Sequence, residues 1–238
     1  IIKDRSKSTR STADAFQTSI IIDKSPSTCI VQENGLNFKV DLNDTLNTGL
    51  FLDMRANRLK VAQSCASRKV LNCFAYTCSF GVYARAFKAA EVVNVDISPK
   101  ILQRGQVNYE INKLAFSQKE FIKADAREYL KKAVKINNSF DIIIIDPPSF
   151  ARSKTKVFNI EKSLPELVAD ALEILNDKGK LLIATNCSQV SYNKLEEIFR
   201  KHRQSRVPKK LTRLGQDEDF LGSGLSKESH LVALRVEY

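Results

Sequence analysis

From residue 69 onward the chain alternates short, uninterrupted apolar runs with longer amphipathic stretches. Continuous β-branched runs fit strands covered on both faces, whereas apolar positions recurring every three or four residues fit helices lying against them. The pattern predicts strands over residues 69–74, 91–96, 121–123, 140–146, 178–186 and 231–236. Helices are predicted over 80–90, 99–114, 126–134, 161–175 and 192–202, the second opened by Ser98 as N-cap. The clearest strand contains four consecutive isoleucines, Ile142 to Ile145. This strand–helix rhythm implies an α/β fold with a doubly wound, mostly parallel sheet and right-handed crossovers. Residues 1–45 read differently. Ser and Thr dominate residues 6–19, and residues 20–40 hold short strand-like runs split by Pro26 and Gly35. They are expected to form a small β-rich extension, the remnant of a preceding domain or linker, ahead of a main domain over 46–238.

Charge and cysteine content narrow the picture. Thirty-eight Lys and Arg against 27 Asp and Glu leave a net charge of +11, which suits a polyanionic partner. No apolar run approaches the ~20 residues that span a bilayer, so no membrane partner is expected. Lys3, Asp4 and Arg5 interrupt any secretory signal at the start. The five cysteines are odd in number and irregularly spaced, with no C-x-x-C pair and only two histidines. Neither a disulfide framework nor a metal site is expected, and a reduced, cytoplasmic chain follows. Met54 is the only methionine, so the chain reads as a piece of something longer. The oligomeric state stays open, a homodimer being one option.

In an open α/β sheet, ligands bind beyond the carboxyl ends of the strands, where strand order reverses. The first strand ends in Asn72-Cys73-Phe74-Ala75-Tyr76-Thr77-Cys78, the second in Asp96-Ile97 and the third in Asp125-Ala126. The fourth ends in Asp146-Pro147-Pro148 and the fifth in Asn186-Cys187-Ser188. Asp96 follows Cys73 by 23 residues, near the spacing of an acid that receives ribose hydroxyls. A pyrophosphate would need a G-x-G-x-x-G turn, but Gly81 is the only glycine between residues 69 and 96. That argues against NAD or FAD and for a nucleoside cofactor without phosphates, S-adenosyl-L-methionine. Acids are common at strand-to-helix turns, so the ordered set carries more weight than any member.

These segments, with Ser149-Phe150 and Lys154 after the two prolines, resemble class I methyltransferases of the large-subunit ribosomal RNA cytosine-5 type. Thr48 to Arg55 with Arg58 is similar to that family's G-x-x-L-D-x-R segment, and Asp4-Arg5-Ser6 to the join between its RNA-binding PUA domain and its catalytic domain. The PUA domain would then be absent from this chain. The resemblance implies a Rossmann-like methyltransferase domain in which Asn72, Phe74 and Thr77 line the methionine end of the cofactor. Asp96 and Ile97 would hold the ribose side, Asp125 and Ala126 the adenine, and Arg55 and Asp146 would complete the cofactor site. Pro147 and Pro148 would form the floor for the target base. Two successive prolines fix the backbone and carry no N–H, leaving carbonyls to meet a base edge.

Cys187 points to the reaction. Carbon 5 of cytosine is a poor nucleophile, and addition of a thiolate to carbon 6 makes it enamine-like. The family's cysteine after strand five matches Cys187, with Asp146 placed to orient the base and handle protons. A free cysteine is otherwise a small buried hydrophobe, the role expected for Cys29, Cys65 and Cys73. Three departures from the family stand out: Cys78 replaces a glycine, Asn186 replaces a serine, and Asp217-Glu218-Asp219-Phe220 stands in place of Asp-His-Pro. The turn at Cys78 is therefore expected to be tighter or displaced. RNA, ribosomal by the resemblance, is the expected substrate. Lys154 and Lys156 would meet its phosphates, Phe150 would stack on a flipped base, and the basic run from Arg200 to Arg213 is either a second contact or a solvated face. The alternatives are methylation of an exocyclic base amine, or binding of RNA and cofactor without turnover.

Overall fold

The computed structural model describes residues 27–44, 48–148, 150–152, 157–201, 208–216 and 231–238. The chain divides into two units, Ile1–Leu50 and Phe51–Tyr238. The first contains an antiparallel hairpin of β1 (Thr28–Glu33) and β2 (Leu36–Asp41). Asn34 and Gly35 at its turn have φ of 48° and 80°, the left-handed pair that a two-residue hairpin requires.

The second unit is built on seven strands in the order β10-β11-β9-β6-β3-β4-β5. They are β3 (Lys69–Cys73), β4 (Glu91–Asp96), β5 (Phe121–Lys123), β6 (Phe140–Ile145), β9 (Leu175–Thr185), β10 (Lys210–Leu214) and β11 (Val232–Glu237). Strands β5, β4, β3, β6 and β9 pair in parallel, and β11 runs antiparallel to both of its neighbours. A small hairpin, β7 (Phe150–Arg152) with β8 (Val157–Asn159), follows β6. The helices are α1 (Arg55–Ala62), α2 (Ser79–Ala86), α3 (Pro99–Ile111), α4 (Ala126–Lys135), α5 (Ile160–Glu173) and α6 (Tyr192–Lys201).

Strand alternation splits the apolar runs between two cores. Leu71, Cys73, Val93, Val95, Ile143 and Ile145 pack with Leu130 of α4, Leu164 and Val168 of α5, and Leu195 of α6. The intervening Val70, Val92, Ile142 and Ile144 pack with Val61 of α1 and Ala84 of α2 on the other face. A sheet covered on both sides is what uninterrupted apolar strands demand. From β3 the chain moves outward through β4 and β5, then returns to β6 and β9 on the other side. The turns after β3 and β6 therefore diverge, leaving a crevice at the carboxyl ends of the central strands.

Candidate active site

The turn after β3 is held by an unusual backbone. Phe74, Tyr76 and Cys78 all have positive φ, at 57°, 50° and 59°. Cys78 thus takes the left-handed conformation that a glycine would adopt there, just ahead of α2. Neighbouring elements anchor the turn, the Ala75 N–H donating to the Val95 carbonyl of β4 at 3.0 Å. The Tyr76 N–H donates to Asp96 Oδ2 at 2.9 Å, and Asn108 Nδ2 donates to the Thr77 carbonyl at 3.0 Å. Asn72 lies below, almost fully buried, donating to Asn94 Oδ1 at 3.0 Å, while Asn94 donates to the Tyr109 hydroxyl at 3.2 Å. A Cβ at Gly81 would come within 2.3 Å of Asn94 Oδ1, so this glycine admits the network beneath α2. Asn72 and Thr77 therefore support the turn from inside, and Phe74 and Tyr76 are its half-buried members.

Asp96 stands at the end of β4 with one carboxylate oxygen toward Tyr76 and the other accepting from the Ser98 N–H at 2.9 Å. Burial raises its pKa, and the backbone donors around it oppose that rise. The carboxylate is oriented by main-chain groups, and each oxygen retains acceptor capacity for a hydroxyl. Next to it Ile97 is 57% exposed, an apolar side chain open at a strand end. An oriented carboxylate beside an apolar surface, without a glycine-rich phosphate cradle, fits an adenosine cofactor that carries no phosphate. Asp125 caps α4, accepting from the Arg127 N–H at 2.9 Å, and its carboxylate also takes the Arg127 guanidinium at 2.6 and 3.1 Å. The Ala126 side chain lies in the core, so its route to a ligand is through the backbone.

The other wall follows β6. Burial pushes the pKa of Asp146 up to about 7, with Asp53 adding to the rise and Arg58 opposing it. Asp53 sits in a short 3-10 helix, Leu52–Met54, immediately before α1, and Arg58 is fully buried within α1. Sequence reading placed both in a motif without assigning them work. Arg55, the residue it did assign, opens α1 and is half-buried. Pro147 is buried and Pro148 exposed. Cys187 follows β9, the strand next to β6, with Ile145 opposite Ile183 in register. The thiol-bearing residue is half-buried against the α4–α6 core, and its N–H donates to Thr185 Oγ1 at 3.1 Å. Cys187 and the Asp146-Pro147 pair thus close neighbouring strands at one end of the sheet. Cys65, Cys73 and Cys78 are buried, and burial pushes the Cys65 thiol up to about 12. Cys29, expected to be buried, is exposed in β1.

Phe150 lies in β7, whereas Lys154, Lys156 and residues 217–220 fall outside the described residues. In the basic run, Arg200 and Arg213 meet Glu196 at 3.9 and 2.8 Å, and Lys201 meets Glu197 at 2.6 Å. These three charges are answered by acids of α6, while Lys209 and Lys210 stay exposed. Among the described residues no cluster of His, Cys, Asp or Glu could hold a metal ion, and no helix is long and apolar enough to cross a membrane.

A model of the S-adenosylmethionine-dependent methyltransferase family matches residues 17–219. The chain is 37% identical over 181 residues to ribosomal RNA large subunit methyltransferase K/L of Colwellia psychrerythraea, covering 74% of this chain and 25% of that protein. It is 35% identical over 173 residues to ribosomal RNA large subunit methyltransferase I of Aeromonas salmonicida, covering 72% of this chain and 43% of that protein. The structure of SMU.776, described as a methyltransferase and complexed with S-adenosylhomocysteine, matches with a TM-score of 0.83 and 29% identity, over 93% of this chain and 58% of that one. The chain spans less than half the length of these two curated relatives.

Proposed function

The chain belongs to the S-adenosylmethionine-dependent methyltransferase family, and we propose that it methylates carbon 5 of a cytosine in ribosomal RNA through a Cys187 adduct. The observation that carries this reading is the placement of Cys187 and Asp146-Pro147 at the mouths of adjacent, register-matched strands. The names of the relatives support ribosomal RNA as the substrate class, and the net charge of +11 suits it. S-adenosylmethionine, held by Asp96 and the turn after β3, would supply an electrophilic methyl group. The Cys187 thiolate adds to carbon 6, forming a C–S bond and moving electron density to carbon 5. Methylated at carbon 5, with S-adenosylhomocysteine as the other product, the adduct would then lose its carbon-5 proton to the Asp146 carboxylate as the C–S bond breaks and returns the thiolate. An acid titrating near 7 both accepts and releases that proton at neutral pH. Pro147 and Pro148 keep the backbone rigid beneath the base. Lys154 and Lys156 would position phosphates, and Phe150 would stack on the flipped base.

Cys187→Ala should abolish methyl transfer to ribosomal RNA, by three orders of magnitude or more on the scale of lost nucleophiles, while cofactor and RNA binding persist. RNA carrying 5-fluorocytosine should trap the wild-type protein covalently, because fluorine does not leave as a proton does. An active Cys187→Ala protein would sink the cysteine mechanism and transfer the work to Asp146 and Pro147 acting on an exocyclic amine.

A further inference from the structure

Among the described side chains, Phe51 carries the only exposed aromatic ring, at 42% exposure, and Leu52 beside it is 55% exposed. A single exposed apolar residue needs no explanation, but two large ones in succession beside a ligand crevice do. The ring is held rather than loose. Arg58, buried in α1, donates from Nη2 to the Phe51 carbonyl at 2.8 Å, and the Met54 N–H reaches the same oxygen at 3.4 Å. A buried guanidinium is costly to keep, and one of its bonds here fixes the main chain that presents Phe51. From the other side the Phe51 ring meets the Tyr76 ring, with centroids 5.2 Å apart and planes tilted by 54°. Tyr76 is itself fixed, since its N–H donates to Asp96 Oδ2 at 2.9 Å. An aromatic pair thus stands at the carboxyl end of β3, with part of one ring open to solvent.

We propose that Phe51, braced by Tyr76, is a stacking platform for an unpaired base of the RNA substrate, neighbouring the nucleotide that is methylated. The proposal rests on RNA as the substrate and not on the cytosine-5 chemistry. Size selects a base over a protein partner: an aromatic face flanked by one leucine is far smaller than a protein docking patch. Chemistry selects it too, because every base has a π-face, so stacking holds a strand in place whatever its sequence. The net charge of +11 draws the strand in without choosing a base. A ring fixed before binding also loses little freedom when a base settles on it.

Single-stranded RNA of about ten nucleotides, carrying 2-aminopurine at each position in turn, tests this on the full chain saturated with S-adenosylhomocysteine. Stacking quenches the fluorophore, and the titration gives the affinity. Wild-type protein should quench it at a defined position. Phe51→Ala should lose that quench and bind about five- to fiftyfold more weakly, the range for a base that loses its aromatic partner. Phe51→Leu, apolar but not aromatic, should behave like Phe51→Ala, whereas Phe51→Trp should match or exceed wild type. The slope of log affinity against log salt should be the same in all of them, because a stacked base releases no counterions. Affinity for S-adenosylmethionine should be unchanged, which also reports that the variants fold. Should Phe51→Ala fail to fold, Phe51→Leu against Phe51→Trp decides the matter. Equal RNA affinity in Phe51→Ala and wild type overturns the platform. A loss of cofactor affinity parallel to the loss for RNA overturns it as well, by making Phe51 part of the cofactor site. Self-association that depends on Phe51 in RNA-free sedimentation does the same, by making the patch a protein contact. Wild-type protein that binds none of these RNAs overturns the substrate class and the platform together. If Phe51 governs RNA binding while Cys187→Ala stays active, the platform stands and the cysteine adduct falls.

Discussion

Cys78 holds φ at 59°, a conformation that costs a residue with a Cβ about 1–2 kcal/mol. It persists because the side chain is used: a Cβ added at Gly105 would lie 2.4 Å from Cys78 Sγ. The sulfur fills the space that a larger residue of α3 would otherwise occupy. Gly105 in mid-helix costs about 0.5–1 kcal/mol relative to alanine, so the pair carries two local penalties for one packed contact. Gly105→Ala, stabilising on propensity alone, should therefore destabilise the protein by about 1–3 kcal/mol through overpacking. In a Cys78→Gly background the same change should become neutral or favourable by up to about 1 kcal/mol. Urea unfolding of the four proteins in the double-mutant cycle measures the coupling, and additivity within about 0.5 kcal/mol would refute the pairing. Sequence reading saw Cys78 as a departure that tightens or displaces a turn. That Gly105 compensates for it was illegible, because 27 residues separate the partners and nothing local links them.

Among elements, the legible ones owe their shape to one strong local rule. Strands β3, β4 and β6 announced themselves because both faces are buried, and α3 because Ser98 accepts the Ile101 N–H at 3.4 Å with Pro99 in the first turn. α2 ends at Ala86, short of the expected 90, as Lys88 turns to a φ of 64°. β9 starts at Leu175, inside the stretch read as helix, with a register shift between Phe140 and Ile142 on its partner. The small hairpin of β7 and β8 has no counterpart among the predicted elements, and neither do α1 and β10. α1 carries Arg, Asn and Lys at many positions, and it is fixed in place by Val61 meeting the sheet. β10 lies within the basic run, where charge masks the strand pattern, and pairing with β11 makes it a strand. The site follows the same division: the strand ends are legible, whereas spacing gives no hint that Asp53 and Arg58 act on the charge of Asp146. Ser98 gives a test at this scale. Its hydroxyl caps α3, while its N–H holds Asp96. Ser98→Ala should cost about 0.5–2 kcal/mol of stability yet leave cofactor affinity within about twofold, since the N–H remains. Calorimetry for stability and titration with S-adenosylmethionine separate the two, and a large loss of affinity would show that the cap itself shapes the surroundings of Asp96.

Across the whole molecule, the buried acids and thiols act on stability in one direction. Asp146 rises from 3.8 to about 7 and Asp96 also rises, both chiefly through burial. A group whose folded pKa exceeds its unfolded value binds more protons in the native state, so stability falls as pH climbs between the two values. For Asp146 that window runs from about 4 to 7. Below it the carboxyl is neutral in both states; above it the native protein carries a desolvated charge that the unfolded chain would hydrate. Cys65, raised from 9.0 to about 12, extends the same trend into alkaline solution. The lowered carboxyls of Glu161, Glu196 and Glu197 oppose it, but they belong to exposed ion pairs that water and salt weaken. Relief of self-repulsion also opposes it, as a chain of net charge +11 loses positive charge. We expect the desolvated carboxyl to dominate between pH 5 and 8. Urea unfolding of the wild-type chain should show a loss on the order of 2 kcal/mol across that interval, within the ceiling of about 4 kcal/mol set by a shift of some three units. Asp146→Asn removes the titrating group and should flatten the curve, leaving the variant more stable than wild type at pH 8 while impairing methyl transfer. Parallel curves for the two proteins would mean that Asp146 is solvated like any surface carboxylate. A variant less stable than wild type at pH 8 would mean that the Arg58 charge needs the Asp146 carboxylate more than burial penalises it.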